Sequence, residues 1–436
     1  MRVNVLARFR TRTHEGAPAV PGLSAEKTLR RTVLSCLLWE DEFYESGQSI
    51  ADRIVETAEK VSPSVLASLA IEAREAFNLR HAPLLLLEVL SRTGKGDRLV
   101  ADTVYRVIQR ADELGELVAL HHTLGKKRMI PAQMRKGLAR AFTKFDEYGL
   151  AKYDRDSTVK LRDVLRLVRP TPANDEQSAL WKRVKDRELV TPDTWEVALS
   201  GGADKKATFE RMLRENKLGY LALLRNLRNM AQAGVDEALV RDAILARKGG
   251  AQRVFPFRYV AAARAAPQFE PYLDQALQAA IGEQRRWLGK TIVLVDVSGS
   301  MIQKLSYRSD MMRIDAAAAL GAIINADLRL FTFSDTLVEV PPRRGMAGVD
   351  AIVKSQPAQG TQLGAALSQI YRLPHDRLIV VTDEQSHDRI GDPIAQRSYM
   401  INVASYQNGV GYGRWTHIDG FSEGVLRFIA ETENDH

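Results

Sequence analysis

Five oxygen-bearing side chains, spread over three places in a 436-residue chain, could together hold a metal ion. Asp296, Ser298 and Ser300 lie in the run Asp296-Val297-Ser298-Gly299-Ser300-Met301. Thr361 lies in Gly360-Thr361-Gln362-Leu363-Gly364, and Asp383 in Thr382-Asp383-Glu384. Two carboxylates and three hydroxyls are all hard donors. They suit Mg²⁺, with Mn²⁺ as the alternative, in an octahedral shell completed by water. No soft ligand stands among them, so zinc and copper are disfavoured. For Asp-x-Ser-x-Ser alone, hydroxyls that cap a helix explain the pattern equally well. The metal reading gains from the order of the three segments and from the elements that precede them.

Those elements read as strands. Thr291–Asp296, Leu328–Phe333, Arg377–Thr382 and Met400–Ala404 are apolar, β-branched runs without alternation, which suits central strands covered on both faces. Helix candidates, Ile314–Ala326 and Leu363–Tyr371, lie between them, and a last helix fits Ser422–Thr432. Strands alternating with helices predict a parallel, doubly wound sheet, whose ligands bind beyond the carboxyl ends of the strands. Asp296 and Asp383 stand at two such ends.

Before Leu288 the pattern is helical from about Ser24, with apolar residues at three- and four-residue spacing. Ser62-Pro63 reads as an N-cap with proline in the first turn, and Thr191-Pro192 reads the same way. Further breaks fall at Gly94–Gly96, Ile130-Pro131, 169–172, 200–202 and Gly249-Gly250. Serial helical hairpins of this kind predict an α-solenoid of HEAT or armadillo type, although no clean sequence period appears. In Leu218–Met230, Tyr220, Leu221, Leu223, Leu224 and Leu227 form the apolar stripe, while Arg225 and Arg228 share the opposite face. The change of texture near Gly289 predicts two domains, residues 1–289 and 290–436.

Charge follows the same division. Residues 1–290 hold 49 Lys and Arg against 37 Asp and Glu, whereas residues 291–436 hold 13 against 17. The excess concentrates in residues 121–170, with 13 basic and 5 acidic side chains. A basic face attracts polyanions, nucleic acid above all, though a solvated surface is the bland alternative. No run is long and apolar enough to predict a membrane span or a signal peptide. The single cysteine, Cys36, sits in an apolar run and reads as a buried thiol. A cytosolic protein is expected.

The metal segments resemble the metal-ion-dependent adhesion site of von Willebrand A domains. That resemblance implies that Asp296, Ser298 and Ser300 supply the first loop, Thr361 the second and Asp383 the third, some through water. It also implies one open position for a carboxylate from a partner. The helical region is similar to TROVE modules of the Ro family, on Leu218–Met230, on Val254-Phe255-Pro256-Phe257-Arg258-Tyr259 and on Leu161–Pro170. The order of the two domains fits the same family. The resemblance implies HEAT-like helices closed into a ring, with the A domain bridging its ends. It implies Y-like RNA on a basic outer surface, single-stranded ends of misfolded RNA in a central hole, and an exoribonuclease partner.

By the same resemblance, the RNA-contact candidates are Arg135, Lys136, Arg140, Lys152, Arg162, Arg166 and Arg169. The last replaces a position that is often histidine in the family, which keeps positive charge and loses ring stacking. The function expected is a non-catalytic RNA-binding scaffold in RNA quality control or stress response. The alternative is an interaction module that captures an acidic protein through the metal. A metal-dependent nuclease is disfavoured, because one hydroxyl-rich cluster lacks a neighbouring acid–base pair. No HExxH pattern occurs. His121-His122 reads as a helix-surface pair, and His375, His387 and His417 as residues in or near loops without evident partners.

Overall fold

The computed structural model describes residues 12–13, 17, 24–35, 47–77, 79–124, 129–154, 158–254, 256–283, 286–304, 311–404, 406, 409–420, 425–426, 429 and 433. Cys36, Phe255 and most of the expected helix 422–432 lie outside them. The chain divides into two compact units, one of residues 24–33 and 51–202, the other of residues 1–23, 34–50 and 203–436.

The first helices are α1 (Ala25–Ser35), α2 (Gly47–Ala58), α3 (Pro63–Glu75), α4 (His81–Thr93), α5 (Arg98–Val107) and α6 (Ala111–Leu124). Then come α7 (Ala132–Phe142), α8 (Glu147–Tyr153), α9 (Leu161–Val168), α10 (Asp175–Asp186) and α11 (Trp195–Ser200). Helices two apart in sequence stack on one another: α3 on α5, α5 on α7, and α4 on α6. That is the layering of a helical-hairpin solenoid. Gly137 of α7 faces the Ala101 carbonyl and Val104 of α5, leaving no room for a Cβ. Ser62 caps α3, with Pro63 in its first turn, as the sequence predicts. At Thr191-Pro192 the expectation fails. Thr194 caps α11, its Oγ1 accepting the Val197 amide at 3.3 Å, because Pro192 is taken up in a turn to the Thr194 amide.

The second unit contains α12 (Lys205–Arg214), α13 (Tyr220–Ala233), α14 (Glu237–Ala246), α15 (Pro256–Ala265) and α16 (Glu270–Gly282). In α13 Leu221 is exposed, and Asn226 joins the buried face, donating to the Ala222 carbonyl. Arg225 and Arg228 are exposed, as their shared face predicts.

The sheet consists of β1 (Lys290–Asp296), β2 (Asp327–Phe333), β3 (Leu337–Val340), β4 (Arg377–Thr382), β5 (Arg397–Asn402) and β6 (Thr416–Asp419). Its order is β3-β2-β1-β4-β5-β6, parallel except at β3. With it stand α17 (Arg313–Ile323), α18 (Met346–Val353) and α19 (Leu363–Ile370). The strands β3 and β6 and the helix α18 were not anticipated. They are short, and their sequences carry little periodicity. One face of the sheet packs Ile292, Leu294, Phe331, Val380 and Met400 against Leu363 and Leu367 of α19. Ala17, far away in sequence, is buried in the same cluster.

The expected junction at 289 and 290 falls at the first residue of β1. Compactness, however, divides the chain at 202 and 203, because α15 and α16 pack against the helices of the sheet. Arg264 of α15 reaches Asp315 of α17 at 3.1 Å and Asp350 of α18 at 2.9 Å. Asp274 of α16 accepts the Met346 amide at 2.8 Å.

Candidate metal centre and basic helical face

In the strand order β2-β1-β4 the chain reverses direction of travel across the sheet between β1 and β4. This is the switch point where parallel sheets open a crevice at their carboxyl ends. Asp296 closes β1 and Asp383 follows the last residue of β4. The register sets Val295 opposite Val381. It therefore brings the Thr382 hydroxyl onto Asp296, donating to Oδ2 at 2.6 Å. The other oxygen of Asp296 accepts the Ser298 amide at 2.9 Å.

Three loops meet here and are tied to each other. Ser298 and Ser300 turn their hydroxyls together, 3.5 Å apart. Ser298 precedes a single 3₁₀ turn, Gly299–Ile302, but its side chain makes no capping hydrogen bond, so the capping alternative does not describe it. The Gly299 amide donates to the Gln359 carbonyl at 3.0 Å, joining the first loop to the second. The second joins the third through His387, whose Nδ1 accepts the Thr361 amide at 2.9 Å and whose own amide donates to the Thr361 carbonyl at 2.8 Å. Ser334, just past β2, braces the second loop, accepting the Gln359 amide and donating to the Gly360 carbonyl.

Asp296, Ser298, Ser300, Thr361 and Asp383 are all buried, the two carboxylates completely. Burial, and next the Asp383 carboxylate, push the Asp296 carboxyl up to about 7. Two buried carboxylates in one crevice are costly unless a cation joins them. Divalent charge and oxygen donors answer that cost, so the donor set fits Mg²⁺ or Mn²⁺. Among the described residues no group of three or more His, Cys, Asp or Glu side chains is arranged to hold a metal. The donors at this crevice are two carboxylates and three hydroxyls, a different kind of set.

The adjoining residues were not foreseen. Glu384 is fully buried in the left-handed region, with φ of 60°. It pairs with His417, whose ring stacks on Tyr412 at 4.1 Å between centroids. His387 and His417 thus have partners after all, and His375 lies with Nδ1 2.8 Å from the Leu373 carbonyl. No periodicity in the sequence signals any of these pairings. His121 is also a correction. It is buried, 3.5 Å from the buried Glu88 carboxylate, so only His122 stays at the partly open helix surface. The basic ring sits inward because α6 turns it toward the acidic residue of α4.

The seven RNA-contact candidates fall on α7, α8 and α9 or at the end of α9. On α7, Met134, Gly137, Leu138, Ala141 and Phe142 are buried, which leaves Arg135, Lys136 and Arg140 exposed. Arg135 and Lys136 have no carboxylate partner among the described residues. Arg140 is engaged with Asp102 and lies over the Tyr105 ring, 4.7 Å from its centroid. Lys152 is half-buried beside Tyr148 and Tyr153. Arg162 stands 3.8 Å from Asp163, Arg166 is exposed, and Arg169 ends α9 in the left-handed region.

Known proteins resemble the chain in two ways. Residues 176–312 match the TROVE domain family, a span that runs from α10 through β1 and the loop that carries Asp296, Ser298 and Ser300. The fold as a whole is similar to the crystal structure of the Ro (RSR) protein of Deinococcus radiodurans. The TM-score is 0.61 at 18% identity, over 93% of this chain and 98% of that one. Among the described residues no helix is long and apolar enough to cross a membrane. Residues 176–312 thus resemble a TROVE domain, and the fold is similar to that of a bacterial Ro protein.

Proposed function

We propose that the chain is a non-catalytic RNA-binding scaffold of Ro type in RNA quality control or stress response, which binds misfolded RNA and holds small structured, Y-like RNA on the basic face of α7–α9. The observation that carries this reading is the TROVE match in a chain whose positive charge gathers on exposed helical positions. Arg135 and Lys136 make a strong contribution, because they are adjacent, exposed and without a carboxylate partner among the described residues. Phosphate contacts of this kind act through counterion release, so they set affinity and its salt dependence rather than a base code.

Asp296, Ser298, Ser300, Thr361 and Asp383 would hold one Mg²⁺ or Mn²⁺. When bound, the cation supplies a Lewis-acidic position for an oxygen ligand. The chain's own groups fix its place: Thr382 and the Ser298 amide orient Asp296, and His387 holds Thr361. A second reading rests on this crevice, in which the A domain captures an acidic protein, an exoribonuclease partner included, while the helices carry RNA.

The test is binding of structured RNA to the full chain between about 50 and 200 mM salt. The double variant Arg135→Ala/Lys136→Ala should weaken affinity several-fold and lower the slope of log affinity against log salt by about 1–2. Undiminished binding by that variant, or no salt-sensitive binding by the native chain, refutes the reading.

A further inference from the structure

Beyond the general attraction of a basic face, a defined cavity lies between α9 and α10. It is open to solvent, has a volume of about 420 Å³ and is lined by Leu165, Arg166, Arg169, Pro170, Trp181 and Lys185. We propose that it is a pocket for a nucleoside monophosphate group, taken either as a free nucleotide or as the phosphorylated end of an RNA strand.

Charge is the first argument. Three cations line one cavity, and of these only Arg166 has a carboxylate partner among the described residues, Asp163 at 3.9 Å. Arg169 and Lys185 have no carboxylate partner among the described residues. A phosphate monoester carries about 1.5–2 negative charges at neutral pH, where a diester within a strand carries about one. A three-cation cavity matches the monoester better. Arginine also matches the oxygens of a phosphate with paired donors.

The backbone is the second. Arg169 takes φ 47° and ψ 61° as the C-cap of α9. That left-handed conformation is one that glycine adopts at no steric cost and other residues resist. Arg187 and Arg247 end α10 and α14 in the same conformation, so what this cap contributes is the place of Arg169, at the turn that closes α9 on the cavity lining.

Trp181 is the third. It is buried, packs edge-on against Phe142 with centroids 5.8 Å apart, and its indole N–H has no acceptor among the described residues. A buried indole normally finds one. Leu165, Pro170 and Trp181 together give the cavity an apolar wall, while Arg166, Arg169 and Lys185 are exposed at its mouth. Apolar wall and cationic mouth fit a base or sugar inside and a phosphate outside. The volume falls in the range of small-molecule sites.

This inference rests on the RNA-binding reading only for the strand-end source. Calorimetry on the full chain tests it with adenosine monophosphate, uridine monophosphate, adenosine, and single-stranded tetranucleotide RNA with and without a 5′-phosphate. The monophosphates should bind at least about tenfold tighter than adenosine, or the phosphorylated tetranucleotide at least tenfold tighter than its unphosphorylated form. The arm that shows the preference identifies the source. Arg169→Gly and Lys185→Met should each erase most of that preference. Arg169→Gly should meanwhile unfold at the same temperature or higher, since glycine suits the cap, which separates lost binding from lost folding. Equal binding of phosphorylated and unphosphorylated probes overturns the proposal, as does a preference that survives both substitutions. If structured RNA then still binds with salt sensitivity, the pocket alone falls; if it does not, the function proposed above falls independently.

Discussion

Asp296 accepts two hydrogen bonds within its own domain and still lies buried beside a second carboxylate. That arrangement makes its ionisation a stability term. Its folded pKa is raised, so without metal its contribution is present at low pH and is lost as pH rises from the ordinary Asp range through about 7. A divalent cation reverses this, since it binds the ionised form. Added Mg²⁺ should therefore raise the melting temperature little near pH 5 and clearly near pH 7.5, by the mass-action increment of a ligand held only by the folded state. Asp383→Asn should abolish that increment. A Mg²⁺ response equal at both pH values in the native chain would contradict it. At this scale the candidate donors were legible as residues, because type and, for Asp296 and Asp383, position at a strand end suffice to propose them. The residues that orient them were not. Thr382 acts across a strand pairing, and His387 acts on a loop 26 residues earlier. His121 shows the converse error: its sequence neighbours suggest a surface, and only the approach of Glu88 turns it inward.

Among the elements, α17 stands between the candidate metal loop and the preceding helices. Asp315 at its start accepts the Met312 amide at 3.0 Å and also pairs with Arg264. Replacing Arg264 by Met leaves a nearly buried carboxylate without its cation. The expected loss is roughly 1–3 kcal/mol of unfolding free energy, read by denaturant titration, and Asp315→Asn in the same chain should recover part of it. In the helical unit, Gly137→Val should cost at least as much, because the α5 backbone and Val104 leave no space for a side chain. Strands β1, β2 and β4 were legible from their apolar runs, whereas β5 begins three residues before the expected run Met400–Ala404 and ends at Asn402, because polar Arg397 and Ser398 carry no strand signal. Strands β3 and β6 were not, since four residues at a sheet edge hold too little pattern to separate from a loop.

For the whole molecule, texture and charge both change near residue 289, and the sheet does begin at Lys290. What composition could not register is packing across that change. Arg264, Asp274 and Gln278 reach Asp315, Asp350, Met346 and Arg344. Residues 290–436 expressed alone therefore lack both these partners and Ala17 of the sheet core. They should unfold at a markedly lower temperature than the same domain in the full chain, as seen by differential scanning calorimetry. Equal transitions would mean that these contacts contribute little.

The Ser386 carbonyl accepts the Thr13 hydroxyl at 2.8 Å and the Ala17 amide at 3.1 Å, across a separation of 373 residues in the first case. During synthesis the early segment leaves the ribosome long before its partner exists. At about 5–20 residues per second it waits roughly 20–75 s. Ala17 is apolar and ends in a core, so throughout that interval it is either exposed or sheltered by something else. Closing so long a loop is slow compared with forming local helices. The earliest described residues thus meet the loop beside the candidate metal only after most of the chain has been made, and a ribosome stalled before Ser386 would hold a nascent chain that no amount of waiting can complete.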